Sequence, residues 1–413
     1  MFSENTANTT YPRSLRSVIA ADLATYPVVA VMGARQVGKS TLCRDIAAQL
    51  GMAYQTLDNR DVLAQAREDP DGLLASLGGD GAYIDEAQRA PELFLAIKAI
   101  VDRGRRPGSY LLSGSNQPKM TGGVADSLLG RAAYRTLRPL TVSELRLDDV
   151  HPGWSFLFNS DDASVTGELR RRSEAGGPLA WRAVVTTGGF PDVIKAPLDD
   201  QQRRLDDYVT VFARRDIRQL IGIDSSDRFE SFLRLVAART GQELHFSGFA
   251  TDLGIGISTA HRWIAALQQS YMIELLPPYS RNAGHRVIKS PKLFMVDSAL
   301  ALAAARESTP TGFHLENLVA GDVAVWKDGA AGRGLHHWRR ASGQEVDFVL
   351  EEAGALLPVE IKSSDSVGSS DAKHLRTFRA EYRNVPRGIL LSSDPEIRSL
   401  GEGVIAAPWW AVV

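Results

Sequence analysis

Apolar and polar positions alternate in blocks along the first third of the chain. Short apolar runs such as "YPVVA" and "GAYI" are each followed by a polar segment of helical character. Such alternation of strands and helices is typical of a parallel sheet that is covered by helices on both faces. We therefore expect an α/β domain over residues 1–145.

Two other patterns follow this domain. Residues 146–180 are polar and rich in glycine and aspartate, which indicates a connecting region with weak structure. Between residues 199 and 221 apolar side chains recur near helical spacing, at Leu205, Tyr208, Val209, Phe212 and Ile217. Residues 146–227 are therefore expected to form a helical linker or lid.

Residues 228–284 contain three amphipathic helices followed by strands with a turn at residues 282–284. This order predicts a winged helix-turn-helix. Its third helix and its wing would present Thr259, His261, Arg262, Arg281, His285, Arg286 and Lys289. Two interpretations stay open: the helix enters a major groove while the wing contacts phosphates, or the unit only packs between domains.

Residues 285–413 show the order α-β-β-β-α-β, which resembles the core of the restriction-endonuclease-like fold. Glu316 lies on the first helix and Asp347 on a strand. Glu360 and Lys362 share one face of the next strand, because residues two apart in a strand point the same way. This D-x12-E-x-K spacing, with a helical glutamate upstream, is similar to the active site of archaeal Holliday-junction resolvases.

In such a site three carboxylates, those of Glu316, Asp347 and Glu360, would hold Mg2+ against a scissile phosphate. Lys362 would lower the pKa of the attacking water or stabilise the pentavalent charge. The domain is then either an active nuclease or a nuclease-derived scaffold that no longer cuts, and the sequence favours neither.

The stretch "VMGARQVGKS" carries the chemistry of the first domain. It satisfies G-x4-G-K-[ST], the P-loop pattern, in which backbone N–H groups surround phosphates, the lysine reaches the β- and γ-phosphates, and the serine binds Mg2+. The following helix turns its positive end toward the anion. The predicted nucleotide-binding loop is Gly33, Ala34, Arg35, Gln36, Val37, Gly38, Lys39, Ser40 and Thr41.

A second element of an ATP site follows in "GAYIDEAQRAP". Asp85 would complete the Mg2+ shell, and Glu86 would orient the attacking water. The next apolar strand ends in small polar residues, one of which would sense the γ-phosphate. Ser113, Ser115 and Asn116 all suit this role, with Ser115 slightly favoured; the alternative is that they only form the turn.

Composition limits the classes to which the protein can belong. The 413 residues suggest two to four domains. The formal net charge of -2 gives no global basic field, so a nucleic-acid contact needs a local patch. One cysteine, Cys43, excludes an intramolecular disulfide framework. The polar start and the lack of a long apolar run predict a cytoplasmic protein that does not contact a membrane.

Several segments together resemble the prokaryotic AAA-type ATPases of the DExx-box kind, which carry a C-terminal domain of unknown function. These segments include "GARQVGKST", "YIDEAQRAPELF", "SLLGRAAYRTLRPLTVSEL", "GGFPDVIKA" and "GQEVDFVLEE". The chain departs from the family where the P-loop ends in Lys-Ser-Thr instead of Lys-Thr-Thr, and where "VDSAL" lacks a glycine. The resemblance implies ATP binding with Mg2+. ATPases of this family often assemble as rings, so a homo-oligomer is one expectation, although no feature of the sequence fixes it.

The same resemblance raises the question of an arginine finger, which would reach the nucleotide of a neighbouring subunit. Arg131, the last residue of "SLLGR", is one candidate; it is otherwise an exposed arginine at a strand start. Arg215 is the rival. The sequence thus predicts an ATP-hydrolysing protein that acts on DNA and carries a metal-dependent nuclease domain. The alternative is a nucleotide-dependent switch or scaffold that binds protein partners.

Overall fold

The computed structural model describes residues 11–78, 81–116, 128–146, 153–159, 161–217, 226–280 and 290–413. Within these residues the first domain is built on a parallel sheet with the strand order β2-β3-β4-β1-β5. Its strands are β1 (Val28–Met32), β2 (Ala53–Thr56), β3 (Ala82–Asp85), β4 (Tyr110–Gly114) and β5 (Ala132–Thr136). All residues of the central strands β1 and β4 are buried.

Helices cover both faces of this sheet, and alternate residues of β1 therefore pack in two separate apolar cores. Val29 and Val31 pack in the core that includes α2, and Val28 and Ala30 pack in the core that includes α5. The helices are α1 (Leu15–Leu23), α2 (Lys39–Gln49), α3 (Arg60–Glu68), α4 (Pro70–Ser76), α5 (Glu92–Arg103) and α6 (Val142–Leu145). The predicted α/β domain with a parallel sheet is confirmed.

The segment after this domain is folded, so the expectation of weak structure over residues 146–180 is wrong for its described part. Helix α7 (Asp162–Gly176) forms there. The buried Trp154 donates from Nε1 to Asp322 Oδ1 at 2.7 Å, 168 residues away in sequence. The buried Arg387 donates from Nε to Asp162 Oδ1 at 2.8 Å. Local composition could not reveal partners that lie this far along the chain.

The middle unit combines helices with a small antiparallel sheet of order β6-β8-β7. The strands are β6 (Gln242–Glu243), β7 (Ile273–Leu276) and β8 (Lys292–Met295). The helices are α8 (Trp181–Thr187), α9 (Pro191–Ile194), α10 (Leu198–Val211), α11 (Ser226–Ala238), α12 (Phe246–Leu253), α13 (Ile257–Gln269) and α14 (Ser298–Ala305). A π-helical turn, Phe212–Asp216, continues α10.

Two of the sequence predictions concern this unit. The predicted wing residues Arg281, His285, Arg286 and Lys289 lie outside the described residues. Strand β8 follows the predicted boundary at residue 284, yet it pairs with β6 and β7. The structure therefore groups β8 with the middle sheet, although the sequence placed it in the C-terminal domain.

The C-terminal sheet has the order β13-β14-β12-β11-β10-β9. Helix α15 (Gly312–Asp328) precedes it, and α16 (Lys373–Glu381) connects β11 to β12. The strands are β9 (Gly334–Arg339), β10 (Glu345–Glu352), β11 (Ala355–Ile361), β12 (Gly388–Ser392), β13 (Arg398–Gly401) and β14 (Val404–Pro408). The order α-β-β-β-α-β occurs as predicted, with the hairpin β13-β14 added at one edge.

One arginine joins all three parts of the molecule. Arg138, just after β5, donates from Nη1 to Glu274 of β7 at 2.5 Å. It also donates from Nε to Asp328, the last residue of α15, at 3.1 Å. Its side chain is only 14% exposed. The position of β5, which lies beside β1 in the sheet, is thus tied to both following units.

None of the helices in the described ranges combines the length and apolar character that crossing a bilayer requires.

Candidate functional sites

The loop between β1 and α2 has the backbone geometry of a phosphate-binding turn. Gly33 has a φ of +151°, and a Cβ there would lie 2.1 Å from the carbonyl oxygen of Leu137. Gly38 has a φ of +95° and is the residue before the first turn of α2. A side chain at residue 33 would collide with the backbone and one at residue 38 would be strained, so both glycines of the motif are required for this turn.

Lys39 lies inside the loop. It is 6% exposed, and its Nζ donates to the carbonyl oxygens of Gly33 at 2.9 Å and Ala34 at 2.6 Å. Burial lowers the pKa of Lys39 to about 8, although Glu86 and Asp85 oppose this change. The ammonium is therefore a desolvated donor at the amino end of α2, where the helix also favours negative charge.

Ser40 and Asp85 come together from different elements. The Ser40 hydroxyl donates to Asp85 Oδ1 at 3.1 Å, and the Ser113 hydroxyl donates to the same oxygen. Asp85 is 5% exposed at the end of β3. A hydroxyl and a carboxylate in contact at a P-loop are oxygen ligands of the kind that Mg2+ prefers. The two predicted magnesium ligands of this domain are thus adjacent.

A glutamine links the predicted water-orienting residue to the predicted sensor. Gln88 donates from Nε2 to Glu86 and, at 3.1 Å, to the hydroxyl of Ser115. Glu86 itself has a φ of +57°, which turns the chain sharply after β3. Gln88 is not among the predicted site residues. Its position two residues after Glu86, in a tight turn, is the only signal that could have found it.

A cavity of about 970 Å³ opens beside the P-loop, within the size range of nucleotide-sized ligand sites. The predicted residues Lys39, Ser40, Thr41, Glu86 and Asn116 line it. Other cations also line it, namely Arg13, Arg16, Arg35, Arg67, Arg89, Lys195 and Arg215. The cavity contains more cations than carboxylates, so its charge, the turn and the Ser40–Asp85 contact fit a triphosphate with Mg2+.

The two candidate arginine fingers lie in different places. Arg131 precedes β5, and because β5 runs parallel to β1, it lies at the sheet edge opposite the P-loop. Its guanidinium binds Asp102 through two bonds of 2.6 and 2.9 Å. Arg215 lies in the π-helical turn and lines the cavity. Within one chain, only Arg215 of this pair is near the nucleotide site, so Arg131 stays a prediction about a neighbouring subunit.

Exchange of these arginines for alanine separates the two roles. We expect Arg215→Ala to lower ATP turnover in any oligomeric state, because its side chain lines the cavity of its own chain. Arg131→Ala should lower turnover only if subunits share sites, and mixing it with Glu86→Gln should then restore part of the activity. Steady-state phosphate release from each variant and from the mixture tests both. If Arg131→Ala keeps wild-type turnover in a demonstrated oligomer, the bond to Asp102 is its role.

The C-terminal half brings its predicted carboxylates together. Glu316 on α15, Asp347 on β10 and Glu360 on β11 lie near one another, and Asp347 acts on the charge of both glutamates. Burial, reinforced by Asp347, raises the pKa of Glu316 to about 8 and that of Glu360 to about 8. Lys362, which directly follows β11, donates from Nζ to Glu360 Oε1 at 2.8 Å, as expected for residues two apart in an extended segment.

Sequence reasoning missed the cation at the centre of this cluster. Lys292 of β8 lies 2.8 Å from Glu316, 2.5 Å from Glu345 and 3.1 Å from Asp347. Burial alone would lower the pKa of Lys292, but the three carboxylates hold it above its ordinary value. The available signal was a lysine at the start of the buried strand "KLFM". Across the described ranges, no group of three or more His, Cys, Asp or Glu side chains is arranged to hold a metal.

Comparison with known families divides the chain into three matched segments. Residues 25–146 match the model of the AAA domain family. Residues 179–311 and 311–412 match two models that are both described as domains of unknown function, DUF8612 and DUF4143 respectively. Together with the P-loop geometry, these matches support an ATPase-like P-loop domain of the AAA type, followed by a C-terminal domain of unknown function.

Two uncharacterized proteins, from Mycobacterium bovis and Mycobacterium tuberculosis, are each 28% identical to this chain over 392 residues, covering 92% of this chain and 80% of each relative. A Walker-type ATPase of Pyrococcus abyssi has 16% identity and a TM-score of 0.38, covering 74% of this chain and 99% of its own. AMPPCP-bound DnaA from Aquifex aeolicus has 12% identity and a TM-score of 0.28, and the match covers 65% of this chain and 92% of the DnaA chain. At these scores, the solved structures carry no argument about activity.

Proposed function

We propose that the P-loop domain binds ATP with Mg2+ and hydrolyses it. The observation that carries this proposal is the convergence of Lys39, Ser40 and Glu86 on one cationic cavity, with Asp85 bonded to Ser40. Bound Mg2+ would neutralise part of the charge on the phosphates, and Ser40 and Asp85 would hold it. The match of residues 25–146 to the AAA domain family supports the same activity.

Each remaining side chain then has a defined task. Lys39 exchanges its two bonds to loop carbonyls for bonds to phosphate oxygens, which are stronger because both partners are charged. Glu86 accepts the proton of the water that attacks the γ-phosphorus, while the bond to the bridging oxygen breaks and ADP leaves. Gln88 binds Glu86 and Ser115 and so fixes the direction of the carboxylate.

We propose further that the protein acts on DNA through its other two units. The middle unit has the helices α11, α12 and α13 and a three-stranded antiparallel sheet in the described residues, an arrangement that supports a winged helix. The strand order of the C-terminal unit and the grouping of Asp347, Glu360 and Lys362 support a restriction-endonuclease-like domain. Homo-oligomers of the protein would give Arg131 a nucleotide to contact.

A second candidate function is a nucleotide-dependent switch or scaffold whose C-terminal half binds protein partners. The observation that favours it is Lys292, whose ammonium binds the carboxylates that would otherwise hold a metal ion. ATP turnover of the full chain, measured alone and with duplex, single-stranded and branched DNA, separates the two candidates. Stimulation by one DNA structure supports action on DNA, and unchanged turnover with all three supports the switch.

Helix α13 offers a direct test of DNA contact. Its inner face buries Trp263 and Ile264, whereas Arg262 is exposed. We expect Arg262→Ala to weaken DNA binding and to reduce its salt dependence, because each phosphate contact releases counterions. Fluorescence anisotropy across a salt series measures both. Arg203→Ala, a change of an exposed arginine on α10, is the control. Equal affinity and slope for wild type and Arg262→Ala would make the unit a packing module.

A further inference from the structure

Lys292 fills the centre of the C-terminal carboxylate cluster and has no free donor. An ammonium group carries three N–H donors. Three carboxylates, those of Glu316, Glu345 and Asp347, lie within 3.1 Å of Nζ, and the lysine side chain is 3% exposed. It therefore cannot also contact a substrate phosphate. Its ammonium group therefore takes the place of a bound cation and contacts carboxylates on both α15 and β10.

The cluster also contains a carboxylate oxygen that lacks a partner. Glu360 is 5% exposed, and its Oε2 forms no hydrogen bond in the described part of the chain, whereas its Oε1 accepts from Lys362. Asp347 uses both oxygens, since Oδ1 accepts from Lys292 and Oδ2 accepts from the Ile361 N–H at 2.8 Å. A buried oxygen without a donor is costly, and a cation coordinated there would remove the cost.

The backbone that carries Lys292 is fixed to the helix that carries Glu316. Asn317, next to Glu316, accepts from the Met295 N–H at 2.9 Å and donates to the Met295 carbonyl at 3.0 Å. Asn317 is buried, and the Thr240 hydroxyl also donates to its side chain. Lys292 can therefore leave the cluster only if β8 separates from α15 or if its own side chain withdraws.

We propose that Lys292 is a built-in cation that occupies the divalent-metal position of the C-terminal site and keeps that site closed. A metal ion can bind there only when this ammonium is absent from the cluster. The inference rests on the proposed nuclease-like site and adds its regulation. Its physical basis is repulsion: a dication beside a desolvated ammonium is unfavourable, and the oxygens of Glu316 and Asp347 that face Lys292 are already used.

The test is Mn2+ binding to the full chain without nucleotide, followed by electron paramagnetic resonance. We expect Lys292→Met to bind one Mn2+ ion more per chain than wild type, with an apparent affinity at this site at least about tenfold higher, as for a site that wild type exposes less than about a tenth of the time. Asp347→Asn in the Lys292→Met background should remove that ion. Lys362→Met, which removes the other lysine, should not create a site.

A second variant covers a failure of Lys292→Met to fold. The double variant Lys292→Met, Glu345→Gln removes one partly exposed carboxylate together with the ammonium and leaves Glu316, Asp347 and Glu360 in place. Mn2+ should raise its melting temperature and leave that of wild type unchanged. If the folded variants bind no additional Mn2+, or if wild type binds an Asp347-dependent ion as tightly as Lys292→Met does, the inference is overturned.

Cleavage of branched DNA separates this inference from the proposed nuclease activity. If Lys292→Met binds Mn2+ and cuts no DNA, the nuclease proposal fails and the built-in cation stands. If wild type cuts DNA with Mg2+ in an Asp347-dependent way and Lys292→Met binds no more metal than wild type, the reverse holds.

Discussion

ATP turnover should fall by about 100- to 10,000-fold in Glu86→Gln, while nucleotide binding stays nearly unchanged. The amide keeps the shape of the carboxylate and its contact with Gln88, but it cannot accept the proton of the attacking water. Phosphate release measures turnover, and a fluorescent nucleotide measures binding. Glu92→Gln, an exposed position on α5, is the control and should retain wild-type turnover.

Lys39→Ala should act at the other step of the same reaction. It removes a desolvated donor to the phosphates, so nucleotide affinity should fall by about 10- to 100-fold, the value of one hydrogen bond to a charged group. Glu86→Gln thus lowers turnover, whereas Lys39→Ala lowers nucleotide affinity. Wild-type turnover in both would contradict the assignment of this cavity as the ATP site.

Arg138→Met should destabilise the whole molecule by about 3 kcal/mol, the low end for breaking a buried ion pair. The loss leaves Glu274 and Asp328 without their shared cation, although both are partly exposed and partly hydrated. Chemical denaturation followed by circular dichroism and tryptophan fluorescence gives the measurement. Arg203→Met, which removes an exposed pair with Asp200 on α10, should cost less than about 1 kcal/mol. Equal effects of the two changes would mean that the junction adds nothing to stability.

The parts of this structure that can be predicted from the sequence are those that depend on residues close together along the chain. The P-loop follows from glycines that the turn requires at residues 33 and 38, and the parallel sheet follows from short apolar runs between helices. The order of elements around Asp347 and Glu360 could also be predicted, because alternation fixes which side chains share a face of a strand.

The unpredicted parts depend on partners that are distant in sequence. Lys292 meets Asp347 across 55 residues, and Trp154 meets Asp322 across 168. Neither pairing leaves a periodic signal, and a charged residue within an apolar strand does not reveal which carboxylates will neutralise it. The polar composition of residues 146–180 likewise hides a helix whose apolar side packs on a distant sheet.

The packing of α7 means that the C-terminal body is discontinuous along the chain. Trp154, Leu169 and Trp181 share one apolar core with the strands β10, β11, β12 and β14, while the middle unit comes between them in sequence. Helix α8 belongs to this core through Trp181, and the rest of the middle unit is therefore an insertion with two attachments, one after α8 and one before α15. A C-terminal fragment that begins at residue 311, where two family matches meet, would lack Trp154, Leu169 and Trp181, which form part of its apolar core. The inserted unit is thus joined to this body by two chain connections and by the bonds between Met295 of β8 and Asn317 of α15.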